Sequence, residues 1–374
     1  MSKQLMILMA VAFVASACGP EFPPYTEISD FRVLAIKAEK PWLPPNEETL
    51  LEALVFTEDP GAEVTYQWEW CPITEGASNG HRCVITEEDL QEALSFAAQD
   101  PNIPDDITVE PFDLGTGETA VLRYPTNPLV LLAVCEAIYS GLGEDGELPE
   151  FVDVPDCVED GFPITIKLTA SSGGLEILSV KEVVLRFDDR DLNTNPDISD
   201  VVAKPLCLDG GSKVLCPEDF EGFPLSSSPG SVPFYHDELY RLQLDIPESA
   251  IETYTPASES EEDTTCAADA DCPDADPVCD TQRMVCVPEA IEEQLAITWF
   301  TQRGETEFSR TGYIDGEVTL EEAELNDWQT PERRDFPDET MKLYFVIRDG
   351  RGGIDWLERE VRFVSEEEER ASQE

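Results

Sequence analysis

The chain has 374 residues, which is too long for one ordinary domain and suits two domains that each bury a core. It carries 24 Lys and Arg against 80 Asp and Glu, a formal net charge of -56, and this argues against DNA or RNA, whose phosphates need clustered cations. Only two histidines are present, which excludes a multi-histidine metal centre, whereas a 41% hydrophobic content is enough to build folded cores.

The N-terminus has the composition of an export signal. Lys3 precedes an apolar run of about ten residues, and small residues then lead to Cys18. The run is shorter than the about 20 residues that a membrane-spanning helix needs. Residues 1–17 are therefore predicted to be a signal peptide that is removed. The segment that ends at Ala17-Cys18 resembles the lipobox of bacterial lipoproteins, with Ala15 in place of the commoner Leu.

The lipobox resemblance implies that Cys18 becomes the first mature residue and that its thiol is acylated. Several acyl chains on one residue anchor a protein firmly, because the contributions of the buried CH2 groups add. Gly19 stands where retention in the inner membrane typically uses Asp, so we expect an outer-membrane protein on the periplasmic or the cell-surface face. Residues 18–27 are predicted to be a proline-containing lipidated tether. The alternative is an ordinary signal peptide in which Cys18 stands by coincidence.

Ten further cysteines are an even number in an exported chain, and this predicts five disulfides. Proximity in the sequence suggests three of the pairs, namely Cys71–Cys83, Cys135–Cys157 and Cys207–Cys216. The last four form a module of their own, made of Cys266, Cys272, Cys279 and Cys286. Zinc is the rival interpretation of that module, but it contains no Cys-x-x-Cys pair and no nearby His.

From residue 28 onward, short β-runs alternate with proline-rich turns. Residues 64–70 alternate strictly between apolar and polar, which predicts a half-buried antiparallel strand with Trp68 in the core. The apolar run at residues 129–134 is predicted as a further strand. Thr86 is predicted to cap one helix, whose apolar stripe packs on the sheets. Seven or so short strands of this kind predict a β-sandwich.

The second half of the chain repeats the first in outline. Residues 28–31 are similar to residues 198–201, the Trp68 run to residues 295–300, and residues 181–187 to residues 359–363. Chance similarity of short β-runs is the alternative. The predicted fold class is all-β with minor helices, with two immunoglobulin-like β-sandwiches in tandem. The predicted segments are a sandwich at 28–188, a linker at 189–197, a sandwich at 198–365, a cysteine-rich insert within it at 264–287, and an acidic tail at 366–374.

The chain resembles a group of outer-membrane lipoproteins that are frequent in myxobacteria and their relatives. The resemblance rests on the lipobox, on the paired sandwiches, and on the element Arg348-Asp349-Gly350-Arg351-Gly352-Gly353 that precedes Trp356. The insert is similar to small cysteine-rich repeats of bacterial surface proteins and, distantly, to the N-terminal cysteine-rich region of Dickkopf. Neither resemblance implies an activity.

The linker carries oxygen side chains at alternate positions, as the first part of a calcium loop does. Thr194 stands where the sharp turn of such a loop uses Gly, and an Asp replaces the bidentate Glu. A calcium ion here would stiffen the joint between the sandwiches, whereas an Asx- and Pro-rich linker is the alternative. The candidate ligands are Asp189, Asp191, Asn193, Asn195, Asp197 and Asp200.

Candidate catalytic groups are few. His81 and His236 are accompanied by neither a Gly-x-Ser-x-Gly elbow nor a His-Glu-x-x-His helix, so we predict no catalytic residues. Close pairs of carboxylates are unavoidable among 80 acids and carry no information. Of the tryptophans, Trp328 is the least constrained by its pattern and is the predicted ligand-stacking residue.

Together these features predict a lipid-anchored, non-enzymatic cell-envelope protein. Its expected partners are the membrane, through the anchor, and an envelope protein or polymer that is bound by exposed loops or by the cysteine-rich insert. No cofactor is expected beyond the calcium candidate. The alternatives are a carbohydrate-active protein, as binding module or hydrolase, and a structural or cation-binding envelope component.

Overall fold

A computed structural model describes most of the chain. The described residues are 25–97, 109–141, 157–158, 160–190, 192–216, 222–225, 233–256, 266–268, 272, 277–280, 284–334, 336 and 340–365. The predicted signal peptide, the lipidation residue Cys18 and the acidic tail lie outside them. Within the described part, none of the helices has the length and apolar character that crossing a bilayer requires.

The first half of the chain forms a β-sandwich of two sheets. One sheet has the strand order β1-β3-β6 and the other the order β2-β8-β7-β4-β5. Neighbouring strands are antiparallel except that β2 runs parallel to β8. This is an immunoglobulin-like arrangement. The strands are β1 Arg32–Ala38, β2 Trp42–Leu43, β3 Glu48–Phe56, β4 Thr65–Cys71, β5 Asp113–Gly115, β6 Thr119–Arg123, β7 Phe162–Ser172 and β8 Leu175–Leu185.

Two tryptophans of β4 fill the core between these sheets. Trp68 and Trp70 are fully buried, as the alternating pattern predicts for Trp68. Each indole N–H donates to a backbone carbonyl, from Trp68 to Gly117 and from Trp70 to Pro111, both at 2.9 Å. Because the polar end of each ring has a partner, burial of the large apolar surface is not opposed by an unpaired donor.

Two helices interrupt the first sandwich, α1 at Glu87–Ala97 and α2 at Pro128–Gly141. Thr86 caps α1, since its hydroxyl accepts from the backbone N–H of Asp89 at 3.1 Å. Helix α2 corrects the prediction of a strand at residues 129–134. An apolar run alone does not distinguish a buried strand from a buried helix. Here the side chain of Asn127 accepts from the N–H of Leu129 and so caps a helix.

The second half forms another sandwich. Its sheets have the orders β10-β9-β12-β20-β18, with β11 also on β9, and β19-β17-β21-β22. Short pairs β13–β16 and β14–β15 lie outside these sheets. Besides helix α3 at Leu320–Ala323, the elements are β9 Asp200–Asp209, β10 Ser212–Leu215, β11 Phe223–Pro224, β12 Leu239–Asp245, β13 Thr253–Tyr254, β14 Val278–Asp280, β15 Val285–Val287, β16 Ile291–Glu292, β17 Leu295–Thr301, β18 Glu305–Thr306, β19 Arg310–Tyr313, β20 Leu325–Gln329, β21 Thr340–Asp349 and β22 Ile354–Arg362.

The segments that are similar in sequence occupy equivalent strands. They lead into or form β1 and β9, β4 and β17, and β8 and β22. In each sandwich, a segment after the first strand also runs parallel to the last strand. Trp42 pairs with Val184 in the first sandwich, and Phe234 pairs with Phe363 in the second. The two halves are therefore two copies of one immunoglobulin-like plan.

The sandwiches share an apolar interface of their own. β17 and β21 are buried on both faces, so that Trp299 points into the second core while Phe300 points toward the first sandwich. Across the interface, the rings of Phe56 and Tyr344 meet edge to face with centroids 6.2 Å apart. The buried residues of this interface are Ile28, Leu34, Ala35, Leu54, Phe56, Phe300, Tyr344 and Val346.

The chain enters the described structure at this interface. The N–H of Ile28 donates to the carbonyl of Thr301 at 2.8 Å, and the N–H of Thr301 donates to the carbonyl of Thr26 at 3.0 Å. Both Thr26 and Ile28 are buried. The C-terminal end of the predicted tether at residues 18–27 lies in this pairing, because Thr26 and Glu27 pair with Thr301 of β17 in the second sandwich.

Replacing Phe56 by Ala should destabilise the protein by about 3 to 5 kcal/mol, because it leaves a cavity in the interface between the sandwiches. Urea denaturation followed by tryptophan fluorescence measures this. The matched control is Phe308→Ala, since Phe308 is exposed and its truncation should cost little. Equal losses in the two variants would contradict a packed interface.

Candidate functional site

The turn between β21 and β22 is organised around one carboxylate. Asp349 Oδ1 accepts from the backbone N–H of Arg351 at 2.8 Å and from that of Gly353 at 2.7 Å. A Cβ added at Gly353 would lie 2.0 Å from Asp349 Oδ2 and 2.7 Å from the carbonyl of Thr194, so only glycine fits. These contacts give a structural reason for the Asp349-Gly350-Arg351-Gly352-Gly353 element.

The segment between the sandwiches binds to this turn. Asn193 is buried and donates from Nδ2 to Asp349 Oδ2 at 3.1 Å. Asn195 donates to the carbonyl of Ala38 at 2.8 Å and accepts from the N–H of Ile354 at 2.9 Å. The two amides thus connect both sandwiches, and the predicted linker at 189–197 is part of a packed joint.

The candidate calcium ligands lie along this segment. Asn195 Oδ1 accepts from the N–H of Ile354, Asp200 Oδ1 accepts from Arg359 at 3.1 Å, and the buried Oδ1 of Asn193 has no hydrogen-bond partner in the described part of the chain. Asp189 and Asp197 are exposed, and Asp191 lies outside the described residues. A calcium loop requires such oxygens to converge on one centre, so calcium binding here stays a prediction.

Arg351 lies at the centre of the joint. Its guanidinium is 4.4 Å from the ring centroid of Trp42 in the first sandwich and 4.4 Å from that of Tyr254 in β13. Trp42 Nε1 also donates to the carbonyl of Arg351 at 3.1 Å. A guanidinium between two aromatic faces gains cation–π attraction from both. Arg351 therefore connects the first sandwich to the base of the cysteine-rich insert.

Two carboxylates at the base of the insert share this guanidinium. Arg351 Nη1 lies 2.9 Å from Glu293 Oε1 and 3.5 Å from Glu252 Oε2. Glu293 is only 2% exposed. Burial raises the pKa of Glu293 to about 7, with a further contribution from the negative charge of Asp349, while Arg351 acts in the opposite direction.

Lys181 of β8 completes the charged cluster. Its ammonium donates to the carbonyl of Gly352 in the turn. Burial lowers the pKa of Lys181 to about 8, although Asp349 partly compensates. The joint thus gathers ionisable groups from the first sandwich, from the β21–β22 turn and from the base of the insert.

A cleft of about 420 Å³ lies beside the joint and is lined in part by acids. Lys37 Nζ is 3.1 Å from Asp355 Oδ1 and 3.3 Å from Glu52 Oε2. These ion pairs connect the sandwiches across the cleft, because Lys37 and Glu52 belong to strands of the first sandwich and Asp355 to a strand of the second.

The insert stands on a two-stranded stem. β13 and β16 pair antiparallel, with Tyr254 opposite Ile291. Beyond the stem, disulfides join Cys266 to Cys279 and Cys272 to Cys286. The sulfurs of Cys266, Cys272 and Cys279 lie close together, but all three are in disulfides and are not free thiolate ligands for zinc.

The other six cysteines pair as their spacing suggested, and they complete the five disulfides. Cys71 joins Cys83, Cys135 joins Cys157, and Cys207 joins Cys216. The last pair closes the β9–β10 hairpin, whose strands are connected through Gly210 and Gly211 at positive φ. Cys71–Cys83 fixes the loop that follows β4, whereas Cys135–Cys157 ties helix α2 to the turn that contains Cys157.

The β9–β10 hairpin carries exposed apolar side chains. Leu208 is 74% exposed and Leu215 is 51% exposed, and Val214 is also exposed. Leu208 lies opposite Lys213, so Leu208 and Leu215 are diagonal neighbours on one face. We call the hairpin with these three side chains the apolar hairpin. This hairpin was not predicted, although two cysteines that flank apolar residues and a Gly-Gly turn are a signal for it in the sequence.

Trp328, the predicted ligand-stacking residue, is fully buried. It lies on β20, which has β12 on one side and β18 on the other, and its ring meets that of Phe234 edge to face at 5.5 Å. It is therefore a core residue, and the prediction is wrong. Of the histidines, His236 stacks on Phe363 at 4.5 Å, and His81 follows a short 3-10 turn at positive φ.

No protein-family model matches the chain, and no curated protein matches it. Among solved structures, the chain is similar to murine CEACAM1b at 8% identity, over 88% of this chain and 100% of that chain, with a TM-score of 0.18. It is similar to the dimeric latent PorU of Porphyromonas gingivalis at 10% identity, over 90% of this chain and 24% of that chain, with a TM-score of 0.18. TM-scores this low carry no conclusion about function.

Replacing Arg351 by Met should destabilise the protein by about 3 to 5 kcal/mol, because it leaves Glu293 buried without its cation. Arg351→Lys should recover little of this loss, since an ammonium cannot stack between two rings and reach two carboxylates. Thermal and urea unfolding measure both variants. The control is Arg334→Met, whose side chain is 75% exposed and should cost little. Full recovery by Lys would contradict the stacked arrangement.

Proposed function

We propose that the protein is a lipid-anchored, non-catalytic interaction module of the cell envelope, attached to the outer membrane through Cys18. The apolar hairpin is the observation that carries the binding role. Exposed leucines on a disulfide-closed hairpin are held away from any core and bury their surface only when a partner covers them. A hairpin that is already ordered also loses little conformational entropy on binding.

The insert supplies a second exposed element. Its described part includes the exposed side chains of Val278 and Met284 next to the disulfide Cys266–Cys279. The insert and the apolar hairpin belong to the same sandwich, and the joint holds that sandwich against the first one. This arrangement supports the presentation of both elements from one sandwich.

Charge limits the kind of partner. At a net charge of -56, the protein repels strongly anionic polymers, so a neutral or cationic envelope protein or polymer fits better. Apolar contact at the hairpin favours a protein partner, since it has apolar side chains to offer. The acids of the cleft give no comparable support for a hydrolase, since Glu52 and Asp355 are ion-paired with Lys37.

Anchoring is tested by replacing Cys18 with Ser. The wild-type chain should partition into the detergent phase and sediment with outer membranes, because its acyl chains are buried there. The variant should be released into the aqueous phase while it keeps its five disulfides. Sedimentation and intact-mass measurement report both properties. An unchanged distribution, or the absence of added acyl mass in the wild type, contradicts the anchor.

The binding surface is tested with Leu208→Ser combined with Leu215→Ser. The matched control combines Leu175→Ser with Leu178→Ser, which removes two exposed leucines from the first sandwich. Crosslinking in intact envelopes, followed by quantitative mass spectrometry, measures partner recovery. The hairpin variant should lose about tenfold or more of the recovered partner, whereas the control should retain it.

Equal recovery by both variants would contradict a role for the apolar hairpin. A further chain that lacks residues 264–287 separates the insert from the hairpin, because a second binding surface on the insert predicts an additional loss. Release of sugar fragments from envelope polymer by the full chain would contradict the non-catalytic assignment.

A further inference from the structure

Three parts of the molecule meet at Arg351. Trp42 and Lys181 reach the cluster from the first sandwich, and the β21–β22 turn belongs to the second. The stem of the insert contributes Glu252, Tyr254 and Glu293. Backbone bonds tie the stem together at this point, since the N–H of Glu293 donates to the carbonyl of Glu252 at 2.9 Å. Any change in the cluster therefore acts on the position of the stem.

The charges of the cluster do not balance. At Glu293, Arg351 is the cation, and Asp349 and Glu252 are the other carboxylates whose charges act on it. Lys181 lies near Asp349, Glu182 and Arg348, and Arg186 lies over the same Trp42 ring as Arg351. With these groups ionised, the almost fully buried Glu293 carboxylate faces two other negative charges and one guanidinium that it shares with Glu252. Such an excess is costly, and uptake of a proton by one carboxylate removes it.

Glu293 is the carboxylate best placed to take up this proton. It is more deeply buried than Glu252, which also accepts from the Thr194 hydroxyl. Asp349 already accepts from two backbone N–H groups and from Asn193, so both of its oxygens are engaged. Glu293 has to share its guanidinium with Glu252, so the ion pair only partly offsets its burial.

We propose that the joint is a proton-operated hinge, in which uptake of one proton by Glu293 fixes the stem of the cysteine-rich insert against the two sandwiches. Loss of that proton loosens the stem. The hinge would determine how rigidly the insert is held. It is inferred from the contacts in the joint and does not depend on whether the apolar hairpin binds a partner.

The direction of the pH dependence follows from the raised pKa of Glu293. A carboxyl whose pKa is higher in the closed joint than in the opened one stabilises the closed joint fully below its ordinary value of 4.5, and this stabilisation is lost as the pH rises through about 7. Lys181, with a pKa of about 8 in the closed joint, stays largely protonated in this window. Between about pH 5 and about pH 7, the population of the opened stem should rise about 40-fold.

Hydrogen exchange measured by mass spectrometry on the full chain tests this. The reporters are peptides that contain the stem strands β13 and β16, at several pH values between about 5 and 7, with rates corrected for intrinsic exchange. Protection in the stem should fall about 40-fold over this range in the wild type. Glu293→Gln imitates the protonated side chain and should abolish the dependence.

The matched control is Glu324→Gln. Glu324 also has a raised pKa from burial, but it accepts from the N–H of Ile246 at the end of β12 rather than in the joint. This variant should keep the full pH dependence of the stem. An unchanged pH dependence in Glu293→Gln, or its loss in Glu324→Gln, would overturn the proposal.

A second variant keeps the test decisive if Glu293→Gln does not fold. Glu252→Gln removes a competing carboxylate, so Arg351 can favour ionised Glu293 more strongly and the midpoint of stem opening should move to lower pH. A midpoint that does not move would falsify the hinge. Since no partner is present in these measurements, failure of the hinge and failure of the proposed binding function remain distinguishable.

Discussion

The carboxylate of Asp349 is the constraint on which the arrangement of the two sandwiches depends. It closes its own turn through two backbone N–H groups and receives the Asn193 amide from the segment between the sandwiches. The turn then places Arg351 between Trp42 and Tyr254. One side chain therefore determines where the connecting segment, the first sandwich and the base of the insert meet, and the apolar interface packs around that geometry.

A fixed joint changes what a tandem of immunoglobulin-like sandwiches can do. Domains joined by a solvated linker sample many orientations, and a partner that touches both has to select one. Here Asn195 connects Ala38 to Ile354, and Phe56 packs on Tyr344. The two sandwiches are thus held in a defined relation to each other by contacts that cross from one to the other.

Local patterns in the sequence predicted the elements that depend on local physics. The alternation of apolar and polar residues identified strand β4. The spacing of the cysteines identified the pairs Cys71–Cys83, Cys135–Cys157 and Cys207–Cys216, because periodicity and loop length are properties of neighbouring residues. The run at residues 129–134 became a helix because Asn127 caps it, and a uniformly apolar run contains no period that could decide. Long-range packing determined the burial of Trp328.

The joint could be predicted only in part, for the same reason. Residues 343–347 are buried on both faces of β21, and such a continuous apolar run in an antiparallel strand signals a second covered face. The asparagines of the connecting segment pointed instead to calcium. Oxygen side chains at alternate positions can bind a cation as well as accept hydrogen bonds from backbone N–H groups. The hydrogen-bond partner of Asn195 lies 159 positions away in sequence, so the local pattern could not reveal it.

The backbone pairing of Ile28 with Thr301 has a mechanical consequence. If the chain is pulled from its N-terminal side, tension does not first unravel β1 at the edge of its own sheet. The tension is transmitted directly to β17, a central strand of the other sandwich, so both sandwiches bear the load together. The pairing with β17 therefore distributes a pulling force over both sandwiches instead of peeling the first strand from its sheet.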